Sequence, residues 1–194
     1  AELDDQRSDG TPLPNTVQFL GELRPPQQRA FESLTGHDTG VLAATTAFGK
    51  TVVASALIGH RSRNTLVLVH RRELLDQWVE RLKTFLQIDP KQIGTIGGGR
   101  RKPTGVIDVA LIQSLVRNGE VDDIVADYGQ LIVDECHHLS AASFELVARR
   151  TKARYVVGLS ATVARKDGHH PIIYMQCGPV RHQVHARSQA AESG

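Results

Sequence analysis

The stretch that most constrains this chain is Val41-Leu-Ala-Ala-Thr-Thr-Ala-Phe-Gly-Lys-Thr51. It begins apolar, turns at Gly49 and runs straight into the helix-like segment Val52-Val-Ala-Ser-Ala-Leu-Ile-Gly-His60. A strand, a tight loop and a helix N-terminus in that order make an anion site. Backbone N–H groups and the positive end of the helix dipole then face the same space. Lys50 adds a mobile charge for outer phosphates, and the Thr51 hydroxyl suits Mg²⁺. Thr46, Ala47, Phe48 and Gly49 complete the candidate loop, and Ala44 stands where G-x-x-x-x-G-K-[ST] has its first glycine. The same residues also fit an ordinary strand-to-helix turn with an exposed lysine. A carboxylate able to take a metal at the end of a later strand would separate the two.

Gln130-Leu-Ile-Val-Asp-Glu-Cys-His-His138 supplies one. Such an apolar run is a buried strand of a parallel sheet, and ligands of these sheets bind beyond the carboxyl ends of the strands. Asp134 would sit beside Thr51 and reach the same Mg²⁺, while Glu135 would orient or deprotonate an attacking water. A solvated acidic turn is one rival. A metal site of Asp134, Glu135, His137 and His138 is another, weakened because no Cys or His cluster completes its shell. The two motifs together predict nucleoside triphosphate hydrolysis, with Lys50, Asp134 and Glu135 as catalytic candidates and ATP and Mg²⁺ as cofactors.

These residues resemble motifs I and II of superfamily 2 helicases and translocases of the DExH kind. The resemblance spans residues 23–180 and implies the first of two RecA-like domains, a three-layer α/β fold with a mostly parallel central sheet. A second RecA-like domain becomes an expected partner, as does nucleic acid. Ala44 is common in that superfamily, whereas Ala47 replaces a usual glycine and stiffens the loop. Arg24-Pro25-Pro26-Gln27 resembles the adenine-reading motif, with the Gln27 amide offering a donor and an acceptor together. His70-Arg71-Arg72, after the apolar strand Thr65–Val69, coincide with motif Ia and would grip phosphate without reading sequence. Gln113 and Ser114 resemble motif Ib, without its usual threonine. Ser160-Ala-Thr162 resembles motif III, whose hydroxyls would couple to His137. The loop Arg165-Lys166-Asp167 resembles that of XPB-like repair helicases, with Lys166 in place of an acid. That likeness, and one to restriction-enzyme motor subunits, favours DNA over RNA.

The remaining stretches are less specific. Gly97-Gly98-Gly99 before Arg100-Arg101-Lys102 fits either a backbone nest for a strand phosphate or a plain mobile loop. Leu74, Leu75, Trp78, Val79, Leu82 and Phe85 recur at helical spacing, which places Trp78 in the core rather than in a base-stacking platform. Residues 116–128 are expected as helix and loop. Residues 1–18 are expected as a flexible lead-in, 19–180 as the RecA-like domain, and 181–194 as a linker toward a further domain.

Composition excludes more than it assigns. Apolar residues are 40% of 194, ample for one core, and the net charge of +2 is too small to indicate nucleic acid by itself. Cys136 and Cys177 are distant and form no C-x-x-C, which fits a reducing cytoplasmic setting. No apolar run approaches membrane length. The expected fold is an open parallel sheet of about six or seven strands with helices on both faces. A small kinase would need an acceptor lid that the sequence lacks, and a non-hydrolysing module would not need both Lys50 and Glu135. A motor domain separated from its partner is expected to be nearly inactive.

Overall fold

The computed structural model describes residues 6–161 and 177–184. In chain order these form β1 (Gln18–Phe19), α1 (Pro25–Thr35), β2 (Thr39–Ala43), α2 (Lys50–Arg61), β3 (Thr65–Val69) and α3 (Arg72–Phe85). There follow β4 (Leu86–Gln87), β5 (Ile93–Gly97), β6 (Arg100–Lys102), β7 (Ile107–Leu111), α4 (Ile112–Leu115), β8 (Val116–Arg117) and β9 (Glu120–Val121). The last elements are β10 (Gln130–Val133), α5 (Ala141–Arg150), β11 (Tyr155–Ser160) and β12 (Val180–Gln183).

Eight strands make the central sheet, in the order β12-β2-β11-β10-β3-β7-β5-β6. Every neighbouring pair is parallel except β5 and β6. The continuous apolar character of the middle strands follows from burial on both faces. Side chains alternate across the sheet, so Leu42, Val67, Val69, Ile132, Val157 and Leu159 pack under α1, α2 and α3. Val41, Leu66, Leu68, Leu131, Val133 and Val156 pack with α4 and α5 on the other side. Each such side chain contributes roughly 1.5–3 kcal/mol on leaving water. The result is the expected three-layer, mostly parallel α/β architecture.

Four local expectations differ from what is observed. Within the supposed lead-in, Leu13 and Val17 are buried, Ser8 and Pro12 bridge to Ala153 and Arg63, and Gln18–Phe19 pair with Leu86–Gln87. The polar segment is held by Asn64, whose Oδ1 accepts the Thr11 N–H at 2.8 Å and the Gly129 N–H at 3.0 Å. Its amide nitrogen donates to the Asp127 carbonyl at 2.9 Å. Residues 181–183 of the supposed linker extend β12 along β2, so backbone pairing overrides their polarity. The glycine run is not an open loop: it closes the β5–β6 hairpin, with Gly97 opposite Arg100. Gly98 and Gly99 both have positive φ, 61° and 81°, as a two-residue hairpin turn demands. Lastly, residues 116–128 form the β8–β9 hairpin and a 3₁₀ turn instead of a helix. The sheet therefore has one or two more strands than expected, because β6 and β12 carry too few apolar residues to announce themselves.

Replacing Asn64 with Ala strands the Thr11 N–H and the Asp127 carbonyl, whereas the Gly129 N–H keeps the Asn64 backbone carbonyl at 3.1 Å. It should lower the unfolding free energy by about 2–3 kcal/mol, measured by urea denaturation, and expose the segment before Val17 to limited proteolysis.

Candidate functional site

All strands of the parallel set end on one edge of the sheet, and the loop after β2 opens there. Thr46–Phe48 form a 3₁₀ turn and Gly49 follows at φ 81°, ψ 48°. Only glycine takes that conformation without strain, and a Cβ at position 49 would lie 2.7 Å from the Gln27 amide nitrogen. Helix α2 then starts at Lys50, so its first N–H groups face the loop. Thr46 and Ala47 are exposed and Phe48 is buried. The Phe48 carbonyl accepts from Gln27 Nε2 at 2.9 Å and from the Arg24 guanidinium at 3.0 Å. Gln27 Oε1 accepts the Arg24 N–H at 2.9 Å. The donor and acceptor expected to meet an adenine edge are thus engaged in bracing the loop.

Lys50, Thr51, Gly49 and Thr46 line a cleft of about 100 Å³ together with Asp134 and Glu135. Residues 84 positions apart in sequence therefore share one small space. Lys50 Nζ donates to the Ala44 carbonyl at 2.6 Å. Burial lowers the Lys50 pKa although the Asp134 and Glu135 charges oppose the change. Burial raises that of Asp134, against hydrogen bonds from Trp78 and the Glu135 backbone. For both groups desolvation outweighs mutual attraction, as burial of charges in a narrow cleft implies. Glu135 adopts the left-handed conformation, φ 45° and ψ 49°. A non-glycine residue held there costs about 1–3 kcal/mol, and such strain clusters at functional sites. The Glu135 N–H to Asp134 Oδ1 bond, 2.9 Å, holds the turn.

The donor set fits Mg²⁺ with a triphosphate. That ion keeps waters and takes one or two protein oxygens plus phosphates, here Asp134 and the Thr51 hydroxyl. Among the described residues no group of three or more His, Cys, Asp or Glu side chains is placed to hold a metal ion alone.

The polynucleotide candidates lie on the neighbouring strands. His70, Arg71 and Arg72 leave β3, Gln113 and Ser114 lie in α4 after β7, and Gly97 ends β5 with Gly98 in the turn that follows. Gln113 Nε2 donates to the His70 carbonyl at 2.9 Å, and the Arg72 side chain lies against Gly98. The two halves of the edge meet at Glu135, whose carboxylate is 3.4 Å from His70 Nε2 and 3.6 Å from the Arg71 guanidinium. His137, in the 3₁₀ turn after Glu135, has Nδ1 3.1 Å from Ser160 Oγ. Thr162, Arg165 and the rest of the charged loop lie outside the described residues. Ser140 stands at the N-cap of α5 without a capping side-chain bond.

Sequence reasoning missed one wall. Leu74, Gln77, Trp78 and Arg81 of α3 also line the cleft. Their i, i+3, i+4, i+7 spacing marks one helix face, and the polar residues at 77 and 81 on that face were the available signal. Trp78 is in the core as expected, but its indole N–H bonds Asp134.

The model of the family "Type III restriction enzyme, res subunit" matches residues 20–165. This chain belongs to that family. The res-type domain is 30% identical over 179 residues to the DNA 3'-5' translocase XPB2 of Sulfurisphaera tokodaii, covering 92% of this chain and 39% of that protein. It is 32% identical over 168 residues to protein L396 of Acanthamoeba polyphaga mimivirus, named after an ATP-dependent RNA helicase, covering 84% and 32%. The chain thus spans about a third of the length of these curated relatives. In fold it resembles the UvsW helicase of bacteriophage T4, with TM-score 0.69, 20% identity, and 82% and 60% of the two chains covered. The Sulfolobus solfataricus SWI2/SNF2 ATPase core in complex with dsDNA gives TM-score 0.63 at 16% identity, covering 87% and 38%. Among the described residues no helix is long and apolar enough to cross a membrane.

The raised Asp134 pKa has a sign that can be measured. A carboxyl with a higher pKa folded than unfolded contributes stability below its unfolded range and loses it as pH rises through the folded one. Asp134→Asn removes that titration. The melting temperature of the variant minus that of the wild type should therefore grow more positive as pH rises out of the ordinary carboxylate range, in metal-free buffer.

Proposed function

We propose that the res-type domain is the ATP-binding first motor domain of a DNA helicase or translocase. The observation that carries this reading is the convergence of Lys50, Thr51, Asp134 and Glu135 on one cleft at the carboxyl edge of the sheet. Lys50 and the N-terminal amides of α2 hold the phosphates. Thr51 and Asp134 hold Mg²⁺, which when bound offsets phosphate charge and polarises the terminal phosphoryl group. Glu135 positions the water. Gln27 and Arg24, which brace the loop through the Phe48 carbonyl, are the candidates to read the base. His70, Arg71, Arg72, Gln113, Ser114 and the Gly97-Gly98 turn hold a strand backbone, with Arg165 as a further candidate. His137, Ser160 and Thr162 relay the nucleotide state between the halves.

DNA is preferred to RNA because the XPB2 relative is named for DNA, although the L396 relative is named for RNA. A second RecA-like domain supplies the arginine finger, a group worth about 10³–10⁵ in rate where present. The chain by itself accordingly binds ATP weakly and turns it over very slowly. Brisk DNA-stimulated hydrolysis by these 194 residues alone would contradict this.

The direct test pairs two binding measurements. Lys50→Ala should weaken Mg-ADP binding at least about tenfold by calorimetry, as loss of a charge-assisted phosphate contact implies. In filter binding, single-stranded and duplex DNA should be retained in a salt-sensitive manner. Each of Arg71→Ala and Arg72→Ala should reduce the slope of log K against log salt by about 1. Equal retention at all salt concentrations, or none, would remove the nucleic-acid half of the proposal.

A further inference from the structure

The chain has one tryptophan. Trp78 is only 2% exposed and belongs to the apolar cluster beneath α3. Packing alone would account for a large apolar side chain there, as it does for Leu75 and Leu82 one turn away on the same helix. Packing does not account for the indole nitrogen, which donates a 2.7 Å hydrogen bond to Asp134 Oδ2 across the cleft wall. The other carboxylate oxygen, Oδ1, accepts the Glu135 N–H at 2.9 Å. Each oxygen therefore holds one donor on a rigid mount, a buried ring on one side and the strained backbone turn on the other. Rotation of the carboxylate about its last bond would break both contacts. Its remaining lone pairs are held in one orientation.

We propose that Trp78 is a positioning residue for Asp134, fixing the carboxylate in the orientation that takes Mg²⁺ beside Thr51. The proposal rests on the reading of Asp134 as the magnesium ligand. Groups that hold a metal-ligating carboxylate by its other lone pairs typically change metal affinity about 10–100-fold when lost. A residue acting only through packing would instead weaken nucleotide binding with and without the metal alike.

The test is calorimetric titration of ADP into wild type, Trp78→Phe and Asp134→Ala at stepped Mg²⁺ concentrations and in EDTA. Trp78→Phe keeps an aromatic ring and removes the donor. It should raise the Mg²⁺ concentration for half-maximal enhancement of ADP affinity about 10–100-fold, with the affinity in EDTA changed by less than about twofold. Unchanged Mg²⁺ dependence in Trp78→Phe, beside a wild type that shows the dependence, overturns the proposal. Should Trp78→Phe not fold, the wild type decides by itself, because its emission reports this one indole. Adding Mg²⁺ to the ADP-saturated protein should shift the tryptophan spectrum, reversibly with EDTA, and a spectrum that does not move overturns the proposal. Asp134→Ala separates the two levels. If it matches the wild type in Mg²⁺ dependence, Asp134 is not the ligand, and the underlying reading falls together with the role of Trp78.

Discussion

A parallel sheet covered by helices on both faces leaves one place for polar chemistry, the edge where its strands end. Everything else in this domain follows from that restriction. The interior accepts Val, Leu, Ile and Ala on both sides of β2, β3, β10 and β11, so each strand delivers its first charged residue only on leaving the core. Lys50, His70 and Asp134 are such exits. Because the strands are parallel, the exits line up, and residues far apart in sequence become neighbours.

The strand order divides that edge. β2, β11 and β10 lie together, and the residues after β2 and β10 enclose the candidate nucleotide cleft. β3, β7 and β5 continue the sheet and carry the candidate backbone grips. Glu135 stands at the border, in contact with His70 and Arg71 from the second group while its neighbour Asp134 faces Lys50 in the first. Contact between the residue proposed to position water and those proposed to grip a strand is a short physical route for coupling.

The energetic character of the cleft sets it apart from the rest of the fold. Burial disfavours the charged forms of both Lys50 and Asp134, and Glu135 is held in a backbone conformation that costs free energy. These are local departures from what would stabilise the fold, and they fall on residues whose types and order indicated chemistry. The buried Cys136 thiol, pushed up to about 12 by desolvation, has no comparable arrangement around it and fits a core role.

The sequence by itself determined the layered parallel fold, the loop before α2 and the acidic pair after β10. These depend on short-range properties: apolar runs bounded by turns, a glycine before a lysine, adjacent acids at a strand exit. It did not reveal the packing of residues 8–17, the β12 pairing or the hairpin at Gly98-Gly99. The first is decided by distant side chains, the Asn64 amide and the burial of Leu13 and Val17, and the other two by backbone pairing, which side-chain polarity hardly announces. Trp78 shows the limit most plainly. Its helical spacing correctly places it in the core, but whether a buried indole N–H meets a carbonyl or the Asp134 carboxylate depends on how α3 is seated over β10, and only the tertiary structure decides that.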